Sequence, residues 1–354
     1  MTDFDEAARV VGDAIEARVF PAAVAELGSG HEVFWHHAFG RLTFDAESPA
    51  TDVETPFDLA SLTKVVSTTT VVMQLIADRK LDLDEPLVDS FPEWRGVDRE
   101  NVTVRDLLAH ASGLPARLVD PSPPGGRREF EHDICTMPLE YPPRTRSIYS
   151  DLGFILLGFL AADRGSAALD EQFDALWVRL RLGADRLIFD LPLESKRRAA
   201  PTLPLDNDAR RGRMLIGEVH DVYAAALHGV AGHAGLFGTA SALGAFARAV
   251  LRGARGEADV PPLSRAIVAT FVAKTAVAGS SRALGWDTML PSSSCGTRMS
   301  PVAFGHVGFT GTSLWIDPLR DRYYILLTNR ACGGGSLDDM RTVRRAFHDA
   351  LAHR

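Results

Sequence analysis

Between Ser61 and about Asp78 the chain is almost wholly Val, Leu, Ile, Met, Ala and Thr, and a single lysine, Lys64, stands near its start. Such a run reads as a helix buried on all sides, around which the rest of the molecule has to be built. A lysine in that setting is costly unless it is paired or functional. Ser61-Leu62-Thr63-Lys64 puts a hydroxyl and an amine three residues apart, on one helix face, so Lys64 can reach Ser61. A buried amine sheds charge readily and can then accept the serine proton. The helix start adds free N–H groups and partial positive charge, which suit a developing oxyanion. Ser-x-x-Lys at an ordinary surface helix is a cap followed by a solvated lysine. Here Phe57-Asp58-Leu59-Ala60 gives no sign of an exposed helix start.

Two further elements follow in chain order. Tyr149-Ser150-Asp151 sits in a polar loop after Pro142 and Pro143, before the apolar run Leu152 to Leu160. A phenol there can relay a proton between serine and leaving group when cations lie beside it. Gly305-His306-Val307-Gly308-Phe309 leads into a strand, Thr312 to Asp317. The glycines would let substrate lie against that strand, whose edge N–H groups could supply a second oxyanion donor.

With these three elements the chain resembles the serine β-lactamase-like family of class C β-lactamases, D-alanyl-D-alanine carboxypeptidases and related esterases. Leu107 to Leu114, Gly229 to Leu236 and Leu326 to Arg330 resemble family segments too, so the likeness spans nearly the whole chain. It implies Ser61, Lys64, Tyr149 and His306 as catalytic residues, with the N–H groups of Ser61 and Phe309 holding the oxyanion. Asp151, Gly308, Phe309 and His233 fall to substrate binding. Two positions depart from the family pattern. Tyr-x-Asn has become Tyr149-Ser150-Asp151, and a carboxylate beside Lys64 would hold the amine protonated and favour Tyr149 as the base. Lys-Thr-Gly has become His306-Val307-Gly308, a weaker anchor for a substrate carboxylate near neutral pH. Both changes disfavour efficient β-lactamase activity. They point to an acyl-enzyme hydrolase of small esters or amides, with D-amino-acid peptides and β-lactams as alternatives. A non-catalytic sensing or assembly scaffold is the rival from another class, and the retention of Ser61, Lys64 and Tyr149 speaks against it.

A net charge of −8 argues against nucleic acid as a partner, because phosphate binding needs a basic face. No apolar stretch of membrane-spanning length is free of polar interruption. The acidic start lacks the pattern of a signal peptide, and Cys135, Cys295 and Cys332 have no metal-like spacing. These features lead to an expected cytoplasmic protein with free thiols (periplasmic if a leader had been removed) and no cofactor or metal. Oligomeric state is not legible.

The fold expected is α/β (α+β), an antiparallel sheet flanked by helices and built from both termini, with an inserted helical domain. An amphipathic helix opens the chain, strands run over Ala22 to Leu27 and Glu32 to Phe39, and a hairpin and helix close it. Boundaries are expected at 1–75, 76–235 and 236–354. Of the histidines, His36-His37 reads as a chance pair on a strand, His220 as structural, and His110 as part of a helix C-cap. His233, between glycines at the domain junction, reads as a turn histidine bonding to backbone beside a cleft.

Overall fold

The computed structural model describes residues 3–119, 122–258 and 260–352. Its centre is a six-stranded antiparallel sheet in the order β2-β1-β8-β7-β6-β5. Its strands are β1 (Ala22–Gly28), β2 (Val33–Gly40), β5 (Asp287–Thr288), β6 (Phe304–Val307), β7 (Ser313–Asp317) and β8 (Arg322–Thr328). Strand β1 pairs with β8 from Ala23↔Thr328 to Gly28↔Tyr323, so the two ends of the chain close the sheet. A second small sheet joins β3 (Phe57–Asp58) to β4 (Phe237–Gly238).

Alternation along the strands sorts side chains onto two faces. Ala23, Ala25, Leu27, Tyr324 and Leu326 pack with α1 (Asp3–Glu16) and α11 (Leu337–Leu351). Ala22, Val24, Ile325 and Leu327 join the larger core, which includes Leu243, Phe246 and Val250 of α9 (Ala240–Arg255). Helix α2 opens as a π-helical turn over Lys64–Thr68 and continues as α-helix over Thr69–Ala77. All of its residues from Lys64 to Leu75 are buried, as the apolar run requires. Beyond it lie α3 (Val104–Leu108), α4 (Arg127–Thr136), α5 (Asp151–Gly165), α6 (Leu169–Arg179), α7 (Leu193–Arg198) and α8 (Val222–Ala226). Helix α10 (Arg265–Val272) follows α9. Among the described residues no single helix is long and apolar enough to cross a membrane. Cys135, Cys295 and Cys332 are buried and unpaired.

One expectation about the sheet fails. The strand after Phe309 is not an edge: β7 is flanked by β6 and β8 and spends its amides on both. The open backbone lies at the end of β6. Its outer neighbour β5 pairs only with Gly305 and Phe304, leaving the stretch from His306 onward uncovered on that side.

Candidate active site

The turn carrying Ser61 is fixed from below. Pairing of β3 with β4 brings Asp58 opposite Phe237, and the Leu59 amide donates to Leu236 O at 2.9 Å. Ala60 takes a left-handed conformation, φ 48°, at a cost of order 1 kcal/mol for a residue with a Cβ. Asp58 Oδ1 accepts the Ala60 amide at 2.8 Å and offsets part of that strain. Its Oδ2 accepts the His220 amide at 2.7 Å. Burial pushes the Asp58 carboxyl up to about 6, a rise limited by those two amides.

One turn on, Lys64 is fully buried and its Nζ donates to Ser61 Oγ at 3.1 Å, Asp151 Oδ1 at 2.7 Å and His233 O at 3.2 Å. Burial works to lower the lysine, but Asp151 and Tyr149 outweigh it and hold the amine above its ordinary value. Lys64 is therefore an ammonium that donates to Ser61, and not the neutral base that burial alone would make of it. The Asp151 substitution in the second motif is the cause.

Asp151 is the first residue of α5, where Ser150 caps the helix by accepting the Gly153 amide. Its second oxygen accepts Arg117 Nη1 at 3.0 Å, and the same nitrogen reaches Asp221 Oδ2 at 3.0 Å. Asp221 Oδ1 contacts His233 Nε2 at 2.7 Å and caps α8 through the Tyr223 and Ala224 amides. Burial would raise Asp221, yet His233, Arg117 and the α8 amides hold its carboxyl far below the usual range. The outcome is a closed circuit, Lys64–Asp151–Arg117–Asp221–His233, which returns through the His233 carbonyl to Lys64. Donor atoms of Asp151, Asp221 and His233 come within 4.8 Å of one another, a spacing that suits a cation. Arg117 and Lys64 already supply the positive charge those carboxylates call for. His233 is thus tied by its ring to a carboxylate, not to backbone as its glycine-rich turn suggests.

Tyr149 precedes the cap. Its hydroxyl is buried and has no partner among the described residues. Lys64 Nζ lies 4.7 Å from the ring centroid and the Arg282 guanidinium 5.0 Å from it, so two cations flank the ring. His110, left-handed just after Ala109, the C-cap of α3, also packs against Tyr149 and accepts the Ser150 amide through Nδ1 at 3.1 Å. His306 is also close, its ring centroid 5.7 Å from that of Tyr149. It is only 2% exposed, and its Nδ1 donates to Val307 O at 2.9 Å. Burial, then Arg282 and Lys64, push it well below the ordinary histidine range, so it is neutral with the Nε2 lone pair buried. Such a ring offers no fixed positive charge to a substrate carboxylate. Of the two parts expected of His306, support of Tyr149 and orientation of substrate, the structure shows its ring packed beside Tyr149.

The third motif meets the first at Gly308. A Cβ there would fall 2.6 Å from Leu59 O and 2.2 Å from Thr312 Oγ1, so the approach of the two segments needs glycine. Thr310 Oγ1 donates to Asp58 O and Thr312 Oγ1 to Leu59 O, at 2.7 and 3.0 Å, and these bonds pin the loop beside Ser61. Neither the Ser61 amide nor the Phe309 amide has an acceptor among the described residues. The cavity at this point is about 140 Å³ and is lined by Ser61, Tyr149, Asp151, Arg117, His233 and Phe309 among others. Phe309 is 40% exposed over the stacked His220 ring, 5.3 Å between centroids. A larger and more open cavity, about 700 Å³ and lined by Asp170, Asp185 and Arg186 among others, contains none of these groups.

Spacing reveals Ser61, Lys64, Tyr149, Asp151, Gly308 and Phe309. It gives no sign of Arg117, Asp221 or Arg282, whose part depends on long-range folding.

A model of the family described as Beta-lactamase matches residues 7–348. An Escherichia coli (strain K12) protein provisionally named D-alanyl-D-alanine carboxypeptidase is 30% identical over 307 residues, covering 78% of this chain and 69% of that one. A Salmonella gallinarum protein of the same provisional name is 28% identical over the same shares. Among solved structures, "EstCE1, a hydrolase with promiscuous acyltransferase activity" superposes with a TM-score of 0.77 over 98% of both chains at 19% identity. A class C beta lactamase from Rhodobacter sphaeroides gives 0.76 over 99% of both, also at 19% identity. At that identity the two structures establish a shared fold.

Proposed function

Since the chain belongs to the Beta-lactamase family, we propose that it is a serine hydrolase that turns over small esters or amides through an acyl-enzyme on Ser61. The observation that carries this is Ser61 Oγ at 3.1 Å from a charged Lys64, with the Ser61 and Phe309 amides uncommitted on the same cavity. Ser61 Oγ attacks the carbonyl carbon, and its proton passes to Tyr149 Oη. Tyr149 takes that proton as the phenolate, whose negative charge is stabilised by Arg282 and by Lys64, which donates to Ser61 Oγ throughout. The two amides receive the oxyanion. Tyr149 returns the proton to the leaving oxygen or nitrogen as its bond to the carbonyl carbon breaks. Water then attacks the Ser61 ester, loses its proton by the same path and releases the acid.

A second reading is favoured by Arg282. Its guanidinium lies over Tyr149 and makes no ion pair or hydrogen bond among the described residues, so a fixed positive charge stands ready beside the leaving-group path. A D-amino-acid peptide with a free C-terminal carboxylate would neutralise it, in keeping with the name of the Escherichia coli relative. A panel of p-nitrophenyl esters, a chromogenic cephalosporin and a D-alanyl-D-alanine peptide, run on wild type and on Arg282→Ala, separates the two. Under the first reading esters give the highest kcat/KM, and the substitution lowers ester and peptide turnover alike, because it removes one of the two cations beside Tyr149. Under the second the peptide leads, and Arg282→Ala lowers its kcat/KM by about tenfold or more beyond the loss it causes with esters. Turnover of none of the three by a folded wild type would remove both.

A further inference from the structure

We propose that Arg344, on the closing helix α11, is a positioning residue that aims and polarises the Phe309 amide. The proposal rests on the reading of Phe309 as an oxyanion donor. Arg344 is 5% exposed and has no carboxylate partner among the described residues. Burying a charge in this way costs several kcal/mol unless something compensates. Its Nη2 donates to Gly308 O at 2.7 Å and to Thr312 O at 2.8 Å, the two ends of the loop that carries Phe309. Arg330, also buried and without a carboxylate, donates through Nε and Nη2 to Phe309 O at 3.2 and 2.7 Å. Two guanidinium groups therefore converge on one short loop, near enough that Arg330 adds to burial in pulling Arg344 down to about 9.

Gly308 O and the Phe309 N–H belong to one peptide unit. In a trans peptide they point in opposite directions, so holding the carbonyl on α11 aims the amide away from that helix. Gly308 itself lies against Leu59 and Ala60, next to Ser61. A cationic donor on the carbonyl also withdraws electron density from the peptide nitrogen, making its N–H a stronger donor. Capping Gly308 O does not by itself require a cation, since the Gly311 amide already donates to it at 3.1 Å.

The test acylates wild type, Arg344→Gln and Arg344→Lys with a p-nitrophenyl ester carrying a ¹³C carbonyl. Rates are read with the infrared carbonyl band of the acyl-enzyme. Loss of the charge in Arg344→Gln is expected to lower kcat by roughly ten- to a hundredfold, less than deletion of an oxyanion donor, with KM changed little. The carbonyl band should move to higher frequency, and Arg344→Lys should recover part of both effects. A folded Arg344→Gln with wild-type kcat and band overturns the proposal. So do variants that are impaired alike with an unmoved band, since that is a purely structural loss. If Arg344→Gln does not fold, Arg330→Gln removes charge from the same loop and is read in the same way. Wild type that forms no acyl-enzyme overturns this proposal and the reading beneath it together.

Discussion

Asp58 sets the turn before Ser61 by accepting two amides, and burial lifts its carboxyl from an ordinary 3.8 to about 6. A raised carboxyl favours the fold in its neutral form. Its contribution is complete below about pH 3.8 and is lost as pH rises through about 6. A shift of that size corresponds to about 3 kcal/mol. Asp58→Asn removes the titration. The stability of wild type minus that of the variant, from urea unfolding, should fall between about pH 4 and 6, and a difference flat across that range would contradict it. The same residue marks the limit of sequence reading at this scale. Phe57-Asp58-Leu59-Ala60 shows only that no exposed helix begins there. The two amides that Asp58 serves come from Ala60 beside it and from His220, 162 positions away, and only the first is visible from spacing. Lys64 repeats the lesson, because whether it is base or cation turns on Asp151, 87 positions on.

Elements were more legible than contacts. Helix α2, strands β1 and β8 and the closing helix follow from period and burial, since each shows one strong pattern of apolar residues. Strand order does not follow from period, and the placement of β7 inside the sheet is what displaces the expected edge to the end of β6. Gly308 is where two elements meet most closely. Gly308→Ala would drive a Cβ to 2.2 Å from Thr312 Oγ1 and 2.6 Å from Leu59 O, contacts that only a shift of the loop can relieve. The expected outcome is a loss of roughly 1–3 kcal/mol in stability, with acylation reduced more than KM is raised. Thermal unfolding and pre-steady-state acylation measure the two parts, and wild-type values for both would refute the close approach.

At the level of the whole molecule, the first and last strands pair so that the C-terminal third lays β6 and its loop against the Ser61 turn. The helical middle supplies Tyr149, Asp151, Asp221 and His233, and the cavity forms where these parts meet. Sequence order of the three motifs anticipated that convergence, whereas no spacing marks Arg117, Arg282 or Arg344, and Arg330 enters only as the end of a segment that resembles the family's. All of this depends on Ser61 becoming acylated. The direct measurement is intact-protein mass after brief exposure to a p-nitrophenyl ester or an active-serine fluorophosphonate, followed by peptide mapping, on wild type and Ser61→Ala. The account predicts one added acyl or phosphonyl group on the peptide containing Ser61 and none in the variant. A folded wild type that stays unmodified, or a Ser61→Ala variant labelled and active like wild type, would contradict it.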